Sequence, residues 1–332
     1  MVPTRPFLLA AMSALPLSLV ACGSSSGEGA IVPEGTHYGY VVSKVSVPAK
    51  LSDLSGGTFS LDLGATKSNT PDGTKDNRLG EALQFLTMAG FKLQDTIDTA
   101  VNAGSILLLV DFQTKDFTST NAAGLGVKLG VKATAMPAPC SSATDTVCGH
   151  HLTGTGVFTV DPSSPTNALL GGKIVGGKFS GGPGDVSLQI AISAGSPPLT
   201  LSLLNARAEA TAITDTGMDA VIGGEVTAAD LTNQVLPAIA GQIATTLAAD
   251  CAANGTPPGC GCTGSAGMMI IGLFDGDDGT AKDCKVSVAE IAGNLAVKPY
   301  ITPDVCSAKS CTAPDALSIG LKVHAVKASF PM

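Results

Sequence analysis

Tryptophan is absent from this 332-residue chain, and aromatic residues of any kind make up only 4% of it. Sugar clefts and single-stranded nucleic-acid platforms work by stacking on exposed rings, so both rank low. Charge is also scarce, at 14% of residues, with 19 Lys and Arg against 27 Asp and Glu and no basic cluster. Such a chain offers no grip on a phosphate backbone, and no nucleic-acid partner is expected. After residue 20 there is no apolar run long enough to span a bilayer as a helix. Enzyme signatures are missing as well. Gly23-Ser-Ser25-Ser-Gly27 has the spacing of a nucleophile elbow but lies in a polar run, not between a strand and a helix. Gly259-Cys-Gly261-Cys-Thr-Gly264 formally fits a dinucleotide fingerprint, yet it follows Pro257-Pro258 and is flanked by cysteines. His37, His150, His151 and His324 form no His-Glu-x-x-His pair, and no catalytic residue is assigned.

What the chain does have begins at its amino terminus. Arg5 is followed by an apolar stretch over 7–20, too short and too abruptly ended for a stable span, which reads as a removable leader. Leu19-Val20-Ala21-Cys22 resembles the lipobox of bacterial lipoproteins, which implies cleavage before Cys22 and acylation of its thiol. The Gly, Ser and Glu run that follows suits a flexible tether over 22–36. The expected protein is exported and lipid-anchored to the cell envelope. Gly23 in place of Asp points to the bacterial outer membrane by the enteric sorting rule.

Setting Cys22 aside leaves eight cysteines, an even number in an oxidising compartment, and four disulfides are expected. Spacing favours Cys140 with Cys148 and Cys306 with Cys311, and leaves Cys251, Cys260, Cys262 and Cys284 to form two bridges whose pairing stays open. Zinc is the competing use of these thiols, but the Cys260-Gly-Cys262 step is tighter than the usual ligand gap.

With 40 glycines, 20 prolines and 44% hydrophobic residues, the remaining sequence reads as sheet with Gly and Pro punctuation. Strands are expected at 38–47, 58–63, 106–113, 125–135, 153–160, 169–179, 186–194, 199–213, 218–226 and 317–330. Strict alternation from Val186 and from Leu317 indicates antiparallel strands with one wet face. The expected class is α+β and β-rich: one domain over 37–332, with an antiparallel sheet forming a sandwich or a curved, barrel-like layer. It carries a disulfide-rich segment at 251–311. A helical hairpin is expected from 77–89 and 94–103, each closed by a glycine. A longer amphipathic helix over 228–249 places Leu231, Val235, Ile239, Ile243 and Leu247 on one stripe, with Pro237 as a kink or a restart.

The densest chemistry lies in 274–290, which resembles an EF-hand calcium loop. Such a loop takes oxygens from its positions one, three and five, a carbonyl at seven, a ligand at nine and a bidentate Glu at twelve. Asp275, Asp277 and Asp283 fill the first three, Lys285 supplies the carbonyl, Ser287 stands at nine and Glu290 at twelve. The loop departs from the pattern by an insertion over 278–282 and by Cys284 where glycine is usual. Ser287 with Glu290 is also a capping box, and a disulfide-braced acidic turn is the alternative to calcium. A second candidate cation loop uses Asp62, Asp72 and Asp76 but has Leu79 at the place of the bidentate Glu. A structural calcium ion is the expected cofactor.

Asp72 to Gly80, Phe274 to Glu290 and Pro314 to Gly320 together resemble uncharacterised lipoproteins of myxobacteria with Asp-Gly-rich, EF-hand-like loops. The resemblance implies an exported, anchored protein and supplies no reaction. The expected role is binding or envelope structure, with the membrane engaged through the anchor and an envelope protein as partner. The alternatives are a carrier of a hydrophobic ligand and, behind it, a hydrolase.

Overall fold

The computed structural model describes residues 31–55, 57–191, 198–276 and 282–332. Cys22, the leader, the first part of the tether and Asp277 lie outside the described residues. Nine strands follow in chain order: β1 (Thr36–Ser46), β2 (Leu108–Thr114), β3 (Ser119–Leu129), β4 (Gly156–Val157), β5 (Leu169–Val175), β6 (Lys178–Ile190), β7 (Leu199–Thr211), β8 (Gly217–Thr227) and β9 (Ala316–Ser329). Leaving out β4, they pair antiparallel in the order β1-β2-β3-β5-β6-β7-β8-β9. β9 then returns to β1, from Tyr40 opposite Lys327 to Ser46 opposite Lys322. Of the two layouts expected, the sheet takes the barrel: eight strands closed on themselves, with no free edge left to pair with another chain.

Alternation sets the two faces. On β9, Leu317, Ile319, Leu321, Val323 and Ala325 enter the main core, whereas Lys322 and His324 between them are exposed. Inside the barrel, Phe112 and Phe179 meet edge to face at 5.3 Å. Phe179 lies over Gly181, where a Cβ would come within 2.3 Å of the ring. Short turns over 115–118, 176–177 and 212–216 close one end of the barrel, and the long connections 47–107, 130–168 and 228–315 all leave from the other.

Those connections carry the helices. α1 (Leu51–Ser55), α2 (Arg78–Met88) and α3 (Leu93–Asn102) lie in the first, α2 packing on β9 and α3 on β1. Leu79, Leu83, Leu86, Ile97 and Val101 extend the barrel core into them. In the last connection the expected long helix is divided: α4 (Ala228–Asp230), a π-helical turn (Leu231–Val235) and α5 (Leu236–Asp250). Pro237 stands in the first turn of α5, so it restarts the helix, and all five stripe residues are buried. α6 (Ser265–Phe274) and α7 (Val288–Gly293) follow.

Five expected strands differ from those observed: 125–135 and 186–194 instead run Ser119–Leu129 and Lys178–Ile190, and three others are lost, split or cut short. Residues 58–63 contribute a single bridge, Leu61 to Asp76, because Asp62 folds its carboxylate onto backbone N–H groups and the closed sheet has no free edge beside them. The strand expected at 169–179 breaks at Gly176 and Gly177, both left-handed at φ 58° and 77°, and so becomes β5 and β6. Of 153–160 only β4 forms a strand, parallel to the end of β9, while Val157 and Val160 add single antiparallel bridges to Met136 and Gly130.

Two layers dress the outside of the barrel. Segment 130–160 covers an outward apolar patch of Val41, Leu107, Leu109, Ala328 and Phe330 with its own Ala135 and Phe158. Two straps, 57–77 and 302–315, lie over the outer face of β8 and β9 with Phe59, Leu61, Leu63 and Val305 buried beneath them. Asn77 fixes the first strap. Its Nδ2 donates to Phe59 O at 2.8 Å and Gly320 O at 3.1 Å, while its Oδ1 accepts from Gly320 N at 2.8 Å and Gly80 N at 3.0 Å. One buried amide thereby continues the edge of β9 past the end of β1 and caps α2.

Candidate metal centre

Residues 265–293 form helix, loop, helix. α6 ends at Phe274, directly before Asp275, and α7 begins at Val288, directly after Ser287, so helices flank the loop where the EF-hand spacing requires them. No local pattern announces the incoming helix, since α6 has no side-chain cap and is apolar nearly throughout. Asp275 is buried at 4% exposure, and its Oδ1 and Oδ2 accept from Asp283 N at 3.0 Å and Cys284 N at 3.3 Å. Asp283 Oδ1 accepts from Lys285 N at 3.0 Å. Cys284 has φ 65°, the left-handed conformation that favours glycine, at the position where the EF pattern places one.

Glu290 serves the capping box: its Oε2 accepts from Ser287 N at 2.7 Å, and Ser287 Oγ accepts from Glu290 N at 3.1 Å. Its Oε1 reaches across the loop to accept from Gly276 N at 2.6 Å. An ionised carboxylate has about four lone-pair sites, so each oxygen retains acceptor capacity while bracing the turn. The two sequence readings, calcium loop and braced turn, therefore call on the same atoms.

The loop at 62–76 is wired in the same way. Asp62 Oδ1 and Oδ2 accept from Asp72 N at 3.0 Å and Gly73 N at 2.6 Å, as Asp275 accepts from Asp283 and Cys284. Asp72 Oδ1 accepts from Thr74 N at 2.8 Å, two residues on, as Asp283 does from Lys285. Gly73 has φ 92°, matching the left-handed Cys284. Asp76 Oδ2 accepts from Leu63 N at 2.9 Å, the second position of the loop, where Glu290 accepts from Gly276. Asp76 thus takes the place that Leu79 vacates. Burial pushes its carboxyl up to about 6 against the Leu63 bond, with Asp304, Asp62 and Asp72 adding repulsion. Asp304, from the other strap, is itself raised by burial, against the two bonds it accepts from Ser318. Sequence spacing does not join Asp304 to this loop, because 228 residues separate it from Asp76.

The eight cysteines other than Cys22 are all bonded. Cys140 pairs with Cys148 and Cys306 with Cys311, as spacing suggested, and the open pairings resolve as Cys251 with Cys262 and Cys260 with Cys284. The two halves of Cys260-Gly-Cys262 therefore hold different elements, the end of α5 and the tip of the 275–290 loop. Cys260, Asp275 and Cys284 place ligand atoms within 4.8 Å of one another, as do Cys306, Cys311 and Asp315. A disulfide sulfur has no thiolate to give a metal, so neither group is a zinc site in this oxidised form. Asp283 and Glu290 stand outside the first group, and a cation would have to draw their oxygens inward.

Three histidines face carboxylates at the surface: His37 and Asp111 at 2.8 Å, His150 and Asp145 at 3.0 Å, His324 and Asp219 at 2.9 Å. Among the described residues none of these pairs has a serine hydroxyl on the other ring nitrogen, the contact a serine hydrolase would need. No family model, curated protein or solved structure matches the chain, and the reading of these loops rests on its own residues.

Proposed function

We propose that this chain is a lipid-anchored envelope protein whose two aspartate loops bind calcium and pin the helical segments to a closed barrel, giving a rigid platform for binding or envelope architecture. The observation that carries it is the shared wiring of 62–76 and 275–290: an initial Asp spanning two consecutive N–H groups, the second on a left-handed residue, and a later carboxylate holding the N–H of position two. Oxygen-only donors on a tight loop suit a hard cation. In the first loop Asp275, Asp283, Lys285 through its carbonyl, Ser287 and Glu290 would hold the ion, and in the second Asp62, Asp72 and Asp76. The ion would offset the repulsion among buried carboxylates and tie the starts of α2 and α7. The two helices α2 and α3 then act as the expected hairpin over the end of the barrel. A ligand that binds only the folded state stabilises it by RT ln(1 + [L]/Kd), about 2.7 kcal/mol at a hundred times Kd. Calcium should raise the melting temperature of the apoprotein, Glu290→Gln and Asp62→Asn should each remove part of the rise, and an identical melt with calcium and with chelator overturns the reading.

A second reading, a carrier of a hydrophobic ligand, draws on the closed barrel with its apolar interior. It requires an apolar molecule to be extracted from protein purified from its native membrane, and extracts that contain none would dismiss it.

A further inference from the structure

Glu225, on the outward face of β8, is 0% exposed, and its Oε1 has no hydrogen-bond partner among the described residues. Its Oε2 accepts from Asn205 Nδ2 at 3.0 Å. Asn205 sits in a bulge of β7 with φ 47° and is the joint of both straps: its Nδ2 also donates to Ser307 O at 2.7 Å in the second, and its Oδ1 accepts from Asn69 Nδ2 at 3.1 Å in the first. The straps are also knit to each other, Asn69 N donating to Ala308 O at 2.9 Å and Cys311 N to Lys67 O at 3.1 Å. A buried carboxyl therefore lies beneath a side chain that touches both straps, each of which is also tied to β9, the first through Asn77 and the second through Asp304.

The charges around it favour the neutral form. Asp315 faces it from the second strap and Asp185 from β6, with Arg207 of β7 the single opposing cation. Arg207 is itself half-buried, its Nε has no partner, and it is shared with Asp62 of the first strap. Burial, the largest influence, pushes the Glu225 carboxyl up to about 7; the Asn205 bond and Arg207 oppose the rise and the two aspartates add to it.

We propose that Glu225 is a proton-operated latch for the two straps: neutral, it lets them close over the outer face of β7 to β9, and ionised, it works them loose. A carboxyl raised in the closed state stabilises that state fully below its ordinary value and loses the contribution as pH climbs through 7. The latch is independent of the calcium reading, since Glu225 belongs to neither loop.

Hydrogen exchange on the full chain at fixed calcium, corrected for the intrinsic pH dependence of exchange, reads the latch at the amides of Asn69 and Cys311. Their protection should fall on the order of a hundredfold between pH 5 and pH 8, while that of Val110 in β2 holds, and Glu225→Gln should keep them protected at pH 8. A flat profile in the wild type overturns the proposal. So does an equal fall in Glu225→Gln, which would move the switch to Asp76 or Asp304. A carbon NMR titration of the Glu225 carboxyl guards against a variant that fails to fold: a midpoint near 7 is expected, and one below 5 refutes the latch.

Discussion

His151 shows what a single residue can cost. It is 0% exposed and neither ring nitrogen has a partner, although its ring meets Phe158 edge-on at 6.1 Å. Burial, with Lys132 and then His150 adding repulsion, brings its imidazolium down to about 4. The folded state thus refuses a proton that the unfolded chain accepts from pH 6.5 downward, and stability falls as pH drops through that window. His151→Leu removes the titration and keeps an apolar filling under segment 130–160. In urea unfolding, the wild type should lose about 2 kcal/mol more than His151→Leu between pH 7 and pH 4.5. Equal losses would show that water reaches the ring. In sequence His151 is simply the neighbour of His150; burial separates the two, and no local pattern announces it.

At the scale of elements, legibility followed the range of the interactions. Alternation from Leu317 placed the last strand within a residue, since the period of two is written in adjacent side chains, whereas the strand expected at 186–194 runs Lys178–Ile190, its glycine-rich first half carrying no alternation. Closure of the barrel depends on β1 meeting β9 across some 280 residues, and no window of sequence holds both strands. The false strand at 58–63 has the same origin: its apolar alternation is real, but Phe59, Leu61 and Leu63 point at the outside of a sheet already complete. Gly320 shows how close that strap lies, for a Cβ there would stand 2.0 Å from Phe59 O. The aspartate loops were legible because spacing within a dozen or so residues fixes which carboxylate meets which N–H. The pairings among Cys251, Cys260, Cys262 and Cys284 were not, because α6 had to be placed first. Asn205, Glu225 and Arg207 left no signal at all; two strands and two straps make that cluster, and each residue alone is ordinary.

For the whole molecule, the polarity of the barrel constrains the anchor. One end has only short turns, and the other carries three long connections with every helix. The chain reaches β1 at the short-turn end, but Ile31 lies against Gly171 and Pro33 against Gly124, on the outer face of β3 and β5. If Cys22 carries lipid, nine residues separate it from Ile31, a reach of at most about 30 Å fully extended. The barrel would then stay within that distance of the bilayer, free to present either end or its strapped face to a partner. Among the described residues no helix is long and apolar enough to cross a membrane; under the proposed anchor, acyl chains would hold the protein to the bilayer. Cys22→Ala should therefore move the protein from the membrane fraction to the soluble fraction while leaving its calcium-dependent melt unchanged. Continued sedimentation with membranes after a high-salt wash would defeat the anchor, and a changed melt would show that the tether packs on the barrel rather than merely holding it.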